Sequence, residues 1–153
     1  MLQRIQTIYL LIATVFYFIY WFFGLEWYEK GYSIISNIFN DTDYVYNILI
    51  VISYIPVLIS LICLVAIFMF KNRELQIKLS RLGFGLSLFM SLFTVFYFYA
   101  CLNSLIDLMP SKFIELLMYT AIINPFICSY LIHLAKNSIK KDNELISSLD
   151  RIR

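Results

Sequence analysis

Residues 71–81, KNRELQIKLSR, carry four basic residues in eleven and separate two long apolar runs. These runs, residues 48–70 and 82–102, contain no charged residue. About 20 helical residues cross a bilayer, because each adds ~1.5 Å against ~30 Å of hydrocarbon. Backbone amides inside a bilayer must bond within their own segment, so both runs are predicted to be membrane-spanning helices. Since Lys and Arg accumulate on the cytoplasmic side of membranes, the linker 71–81 is expected to be cytoplasmic.

Composition indicates one membrane domain. The chain has 153 residues, of which 61% are hydrophobic and 14% charged, which is too apolar for the surface of a soluble domain. Two further apolar segments, residues 6–25 and 114–134, are also long enough to span a bilayer. The first lacks the small-residue cleavage site of a secretory signal and is interpreted as a retained span. The predicted fold is an all-α integral membrane four-helix bundle.

The connections between the spans differ in charge. Residues 26–47 carry four acidic residues against one basic and are expected to form an extracytoplasmic loop, whereas residues 135–153 are expected to form a basic cytoplasmic tail. Ten of the twelve Lys and Arg lie in the segments expected inside, the exceptions being Lys30 and Lys112. Both termini are therefore predicted to be cytoplasmic. Leu145, Leu149 and Ile152 recur at helical spacing, so the tail is predicted to be an amphipathic helix.

Small and polar residues indicate how the spans pack. Gly83, Ser87 and Ser91 follow each other at four-residue intervals, which lets a neighbouring helix approach closely, although chance can also place small residues so. Asn124 and Pro125 lie in the middle of the fourth span. An amide at that depth requires a partner on another helix, so the pair is interpreted either as a kink packed against a neighbour or as a hinge or polar permeation site.

Several kinds of chemistry lack the residues that they need. No span centre holds a charge, which disfavours a proton-coupled transporter. Cys63, Cys101 and Cys128 all lie in apolar runs without a CxxC pair, and His133 is the only histidine. We therefore expect no metal, no cofactor and no enzymatic activity.

Three polar stretches resemble a known family. They are the opening MLQRIQTIYLLIA, the linker FKNRELQIKLSRL and the closing KNSIKKDNELISSLDRIR. Each is similar to the corresponding stretch of a family of small, uncharacterised four-span inner-membrane proteins (a domain of unknown function) from Bacteroidetes. The resemblance covers the chain in outline and implies the fold and a multi-pass position in a bacterial inner membrane. It implies no activity and no catalytic residue.

Two functions fit these observations. One is a non-catalytic accessory or structural subunit of a larger inner-membrane complex, for which protein export or insertion is the machinery proposed. Its expected partners are membrane lipids, other inner-membrane proteins and a cytoplasmic partner such as the ribosome, but not DNA. The other is a small passive pore or carrier with Asn124, Thr120 and Ser129 lining its path. Candidate cytoplasmic contacts are the basic residues of the linker and tail, namely Lys71, Arg73, Lys78, Arg81, Lys140, Lys141, Arg151 and Arg153.

Overall fold

The computed structural model describes residues 2–38, 42–107 and 112–150. Over these ranges the chain forms five helices and no strand: α1 (Leu2–Ile38), α2 (Thr42–Ser53), α3 (Ile55–Phe68), α4 (Arg73–Asp107) and α5 (Lys112–Asp150). Four segments are long and apolar enough to cross a membrane: Ile5–Gly24, Tyr46–Phe68, Arg73–Cys101 and Met118–Ile146. The all-α bundle of four membrane-spanning segments is thus confirmed.

Helix α1 buries one stripe and exposes the rest. Leu10, Ala13, Tyr17 and Tyr20 recur at intervals of three and four residues and are buried against the other helices. Apolar side chains between them, such as Phe18 at 52% exposure, face outward as expected for a helix in lipid. The helix continues to Ile38. Residues 26–38 are therefore helical, although the whole segment 26–47 was expected to be an outer loop.

The second span consists of two helices. Helix α2 ends at Ser53, Tyr54 forms a one-residue turn, and α3 begins at Ile55 with Pro56 in its first turn. Proline has no amide hydrogen and its ring clashes with the preceding turn, so a helix cannot pass through it undisturbed at this position. The amide of Leu58 donates to the carbonyl of Tyr54 at 3.2 Å, which restarts the helical pattern.

Most of the basic linker is helical. Only residues 69–72 connect α3 to α4, and Asn72 Oδ1 accepts a hydrogen bond from the amide of Leu75 at 3.3 Å, which caps the start of α4. Gln76 and Ser80 are buried in the bundle. Residues 73–81, expected to belong to a linker, therefore form the first turns of the third membrane helix.

Helix α5 runs without interruption from Lys112 to Asp150, with Pro125 inside it. Ala135 and Ile139 are fully buried and Asp142 is 7% exposed, so residues 135–142 pack as part of the bundle. The expected boundary between the fourth span and the tail, at 134/135, is not a boundary of the helix. The part of α5 that extends beyond Asp142, residues 143–150, is called the stem below.

The two ends of the bundle differ. Helices α1 and α4 begin near a small cavity lined by Gln6, Arg73 and Asp142, and the last turns of α5 extend past it. This end is called the basic end. Nearer the opposite end, the Tyr20 and Thr94 hydroxyls lie 3.2 Å apart, joining α1 to α4. Gly31 lies so close to the Tyr97 ring that a Cβ atom there would overlap the tyrosine hydroxyl. This close approach requires glycine.

Candidate functional site

Buried polar side chains form a layer across the basic end. Gln6 of α1, Gln76 of α4 and Asp142 of α5 are each at most 7% exposed. The Nε2 amide of Gln6 donates a hydrogen bond to Oδ2 of Asp142. A buried carboxylate is costly unless it is hydrogen-bonded, so this contact stabilises the place where α5 meets α1. These three residues and Arg73 are called the polar layer.

Arg73 completes the polar layer from the first turn of α4. Its Nη1 atom is buried and has no hydrogen-bond partner among the described residues. A cavity of about 20 Å³ is lined by Arg73, Gln6, Gln76 and Asp142, together with Thr7, Phe70 and Ile139. A cavity of this size accommodates one water molecule, and the polar lining offers the two to four partners that such a water needs. The polar layer therefore joins α1 to α5 through a hydrogen bond and brings polar side chains of α4 to the same cavity.

None of Gln6, Gln76 and Asp142 was predicted to belong to a site. Gln6 lies at the start of an apolar span and Asp142 in a polar tail, so neither stands out by hydropathy. One signal was present: Ala135, Ile139 and Asp142 follow each other at intervals of four and three residues. That spacing places the carboxylate on the buried face of α5.

The candidate cytoplasmic contacts lie at the basic end but in different environments. Lys71, Lys78, Arg81, Lys140 and Lys141 are exposed, whereas Arg73 is half-buried in the polar layer. Lys140 pairs with Glu144 at 3.7 Å along the surface of α5. Arg151 and Arg153 lie outside the described residues. The exposed cations are therefore available to lipid or to a partner, and Arg73 is committed to the bundle.

The small residues of α4 lie on a buried face. Ser87 and Ser91 are 0% and 4% exposed, and their hydroxyls bond to the carbonyls of Phe84 and Ser87 within the helix. A Cβ atom on Gly83 would lie 3.5 Å from Ile62 Cγ2, so α3 approaches this face closely. The Tyr17 hydroxyl of α1 neighbours Ser87 from the other side.

Asn124 connects two helices at mid-span. Its Nδ2 amide donates to the carbonyl of Phe16 at 3.1 Å, and its Oδ1 accepts from the thiol of Cys128 at the same distance. Pro125 is buried beside it within the uninterrupted helix. The amide that the sequence placed in the hydrocarbon thus has its partner on α1.

A groove of about 280 Å³ opens beside Asn124, between α1 and α5. Thr120 also lines it, but the rest of its wall is mostly apolar: Phe16, Ile19, Tyr20, Phe23, Gly24, Ala121 and Ile127. Ser129 is not part of this lining, and its hydroxyl donates to the carbonyl of Phe126 at 2.8 Å. The structure therefore brings together two of the three residues expected to line a path and places the third elsewhere.

Residues that commonly carry chemistry are dispersed. Within residues 2–38, 42–107 and 112–150, no three His, Cys, Asp or Glu side chains converge to hold a metal ion. Cys63, Cys101 and Cys128 are free and buried. His133 Nε2 lies 2.9 Å from the amide of Asn137, one turn along α5.

The chain matches a family described as a domain of unknown function, DUF4293, over residues 2–152. The chain belongs to this family. No curated protein and no solved structure matches it. The resemblance noted in the three polar stretches is thereby confirmed as membership of a family without assigned function, and an origin in Bacteroidetes stays a prediction. Members of the DUF4293 family match along nearly the whole of this chain, so the four spans and the polar layer all lie within the family domain.

Proposed function

We propose that this protein is a non-catalytic accessory subunit of a larger complex in a bacterial inner membrane, with its basic end in the cytoplasm. In this proposal the four spans anchor the protein, and the basic end holds a partner at the membrane surface. The charge asymmetry supports the orientation, because Lys and Arg next to spans favour the cytoplasmic side.

The stem is the observation that carries this proposal. Its helix continues past the polar layer, yet Leu145 and Ile146 are 57% and 40% exposed there. Apolar side chains that project beyond the bundle gain stability only when another surface covers them. Because Asp142 bonds to Gln6 of α1 at the base of the stem, these side chains are presented in a fixed direction. A rigid helix with exposed apolar residues fits the recognition of a groove on a partner.

Protein export or insertion is the machinery that we propose for the complex. Lys140 and Lys141 lie at the base of the stem, and Lys71 and Lys78 lie near it on α4 and the preceding turn. Exposed cations at a membrane surface attract the phosphates of ribosomal RNA, and such binding weakens steeply with salt. If the protein sediments with ribosomes at about 50 mM salt and not at about 200 mM, export or insertion machinery is supported. If it sediments with ribosomes at neither concentration, the ribosome is not the partner.

A photo-crosslinking amino acid at the exposed Ser148 tests the stem directly in intact cells. We expect one discrete protein adduct, which the double variant Leu145→Asn/Ile146→Asn removes. The matched control is Lys140→Gln/Glu144→Gln, which alters an exposed ion pair one turn away and should retain the adduct. Both variants leave the polar layer intact, so the bundle is preserved. Adducts with lipid alone, or an adduct that the apolar variant does not change, contradict the proposal.

A small passive pore or carrier is the second candidate. The groove favours it, because Asn124 and Thr120 place two polar side chains at one apolar opening in the middle of the spans. Purified protein in vesicles should then let glycerol leak, and Ala121→Phe should block the leak by filling the groove. If the vesicles leak glycerol and the crosslinker at Ser148 forms no protein adduct, the pore or carrier replaces the accessory subunit as the proposed function.

A further inference from the structure

Two cations lie deeper in the bundle than the polar layer. Arg81 follows Gln76 by five residues on α4, and Lys136 precedes Asp142 by six residues on α5. At 1.5 Å per residue they lie about 7.5 and 9 Å nearer the middle of the spans. Arg81 directly precedes the apolar run 82–102 and Lys136 follows the run 114–134, so both lie where lipid headgroups meet the hydrocarbon.

The other helices present only hydrocarbon at this level. Ile62 of α3 lies against Gly83 of α4. Arg81, two residues further from the middle of the spans, is therefore level with Leu64 and Val65 of α3, which are 40% and 41% exposed. On α1 the corresponding residue is Leu11, at 52% exposure. The two cations therefore interrupt an otherwise apolar belt on one side of the bundle, where α4 packs against α5.

Phe84 brings the two cations to the same place. The Lys136 Nζ atom lies 4.5 Å from the centroid of the Phe84 ring, and Arg81 is one turn before Phe84 on the same face of α4. Neither cation forms an ion pair with a carboxylate among the described residues. The aromatic contact orients the ammonium but does not neutralise it. An anion would complement these two cations, and the headgroups of anionic phospholipids supply one at the membrane boundary.

We propose that the surface where α4 packs against α5 binds the phosphate of an anionic phospholipid, with Arg81 and Lys136 as its ligands. An acyl chain of this lipid lies along Leu88, which continues the face of Arg81 toward the middle of the spans and is 44% exposed. Lys140, one turn beyond Lys136, adds positive charge at the entrance. The site combines charge complementarity for the headgroup with an apolar surface for the tail. This lipid site does not depend on the proposed partner complex or on which end of the bundle is cytoplasmic.

Native mass spectrometry of the full-length protein in mild detergent tests this site, with phosphatidylglycerol and phosphatidylcholine as probes. We expect one phosphatidylglycerol to be retained and phosphatidylcholine to be lost. The double variant Arg81→Gln/Lys136→Gln should weaken phosphatidylglycerol binding about 25-fold, since each cation near a membrane surface contributes about a fivefold change. The charge-preserving Arg81→Lys/Lys136→Arg should retain it.

The matched control is Lys71→Gln/Lys141→Gln, which removes two charges at or beyond the polar layer and should change binding less than about twofold. If the double variant does not unfold cooperatively, the single variants Arg81→Gln and Lys136→Gln replace it, each with about a fivefold loss expected. Equal loss in the control variant contradicts a specific site. Equal retention of phosphatidylcholine contradicts headgroup recognition, and full competition by inorganic phosphate assigns the site to a free anion instead.

Discussion

The side-chain amide of Gln6 donates a hydrogen bond to the carboxylate of Asp142, 136 residues further along the chain, and both side chains are buried. This contact, together with the buried Ala135 and Ile139, packs α5 into the bundle as far as Asp142. The stem begins directly after Asp142, so its direction relative to the bundle depends on this packing and on the polar layer.

Replacing Asp142 tests the polar layer. Asp142→Ala leaves the buried Gln6 amide without its acceptor, which should lower the free energy of unfolding by about 1–3 kcal/mol. Glu144→Ala, which removes only an exposed ion pair, should cost less than about 0.5 kcal/mol. Unfolding by SDS titration measures both. Hydrogen exchange of the stem amides should also become faster in Asp142→Ala alone. If both variants lose the same stability, the polar layer is not what holds α5.

The two ends of the bundle can be assigned by cysteine labelling. In intact spheroplasts, an impermeant maleimide should react at Lys112→Cys and not at Ser148→Cys, because the basic end is expected to be cytoplasmic. Both residues are exposed, and Cys63, Cys101 and Cys128 are buried, so native thiols contribute little background. Labelling at Ser148→Cys without labelling at Lys112→Cys would reverse the orientation.

Two glycines of α4 offer a matched pair for testing helix packing. A Cβ on Gly83 already contacts Ile62, so the further atoms of Gly83→Leu should overlap α3 and cost about 1–3 kcal/mol. A Cβ on Gly85 meets nothing within 4 Å, so Gly85→Leu should be neutral or stabilising by up to about 1 kcal/mol. Thermal unfolding in detergent distinguishes the two. Equal tolerance would mean that α3 does not approach α4 as described.

Ser87→Leu should behave like Gly83→Leu, because Ser87 is fully buried. Phe98, which resembles a lipid-facing aromatic residue in the sequence, is 6% exposed and is unsuitable as the tolerant control. Leu92, at 73% exposure on the same helix, takes that place, and Leu92→Phe should leave stability unchanged.

Asn124 separates a packing role from a permeation role. Asn124→Leu removes the bond to the Phe16 carbonyl and should cost about 0.6–1.7 kcal/mol, the range found for hydrogen bonds between membrane helices. Asn47→Leu, at an exposed position on α2, should cost little. Solute flux through vesicles should be the same for wild type and Asn124→Leu if the amide only packs the bundle. A change in flux with unchanged stability would favour the pore.

The sequence by itself determined the number of spans, but not where the third spanning helix begins or the fourth ends. Apolar runs such as 48–70 must be helical in a bilayer whatever they pack against, because the hydrocarbon leaves no other partner for backbone amides. The break at Pro56 in the second span is also a local property of the sequence, since a proline disturbs its own helix. The depth of Asn124 indicated that it needs a partner on another helix, but not which one.

Only the tertiary structure decided which side chains meet. Asp142 belongs to a polar tail by hydropathy, and whether it is buried depends on the rotation of α5 and its register against α1 and α4. The same applies to Asn124, whose partner is the carbonyl of Phe16, and to Phe98, which faces inward. Hydropathy along one chain measures the tendency to enter lipid, which is a local property. Contacts between residues such as Gln6 and Asp142 arise from helix packing, which brings together positions that no local pattern relates.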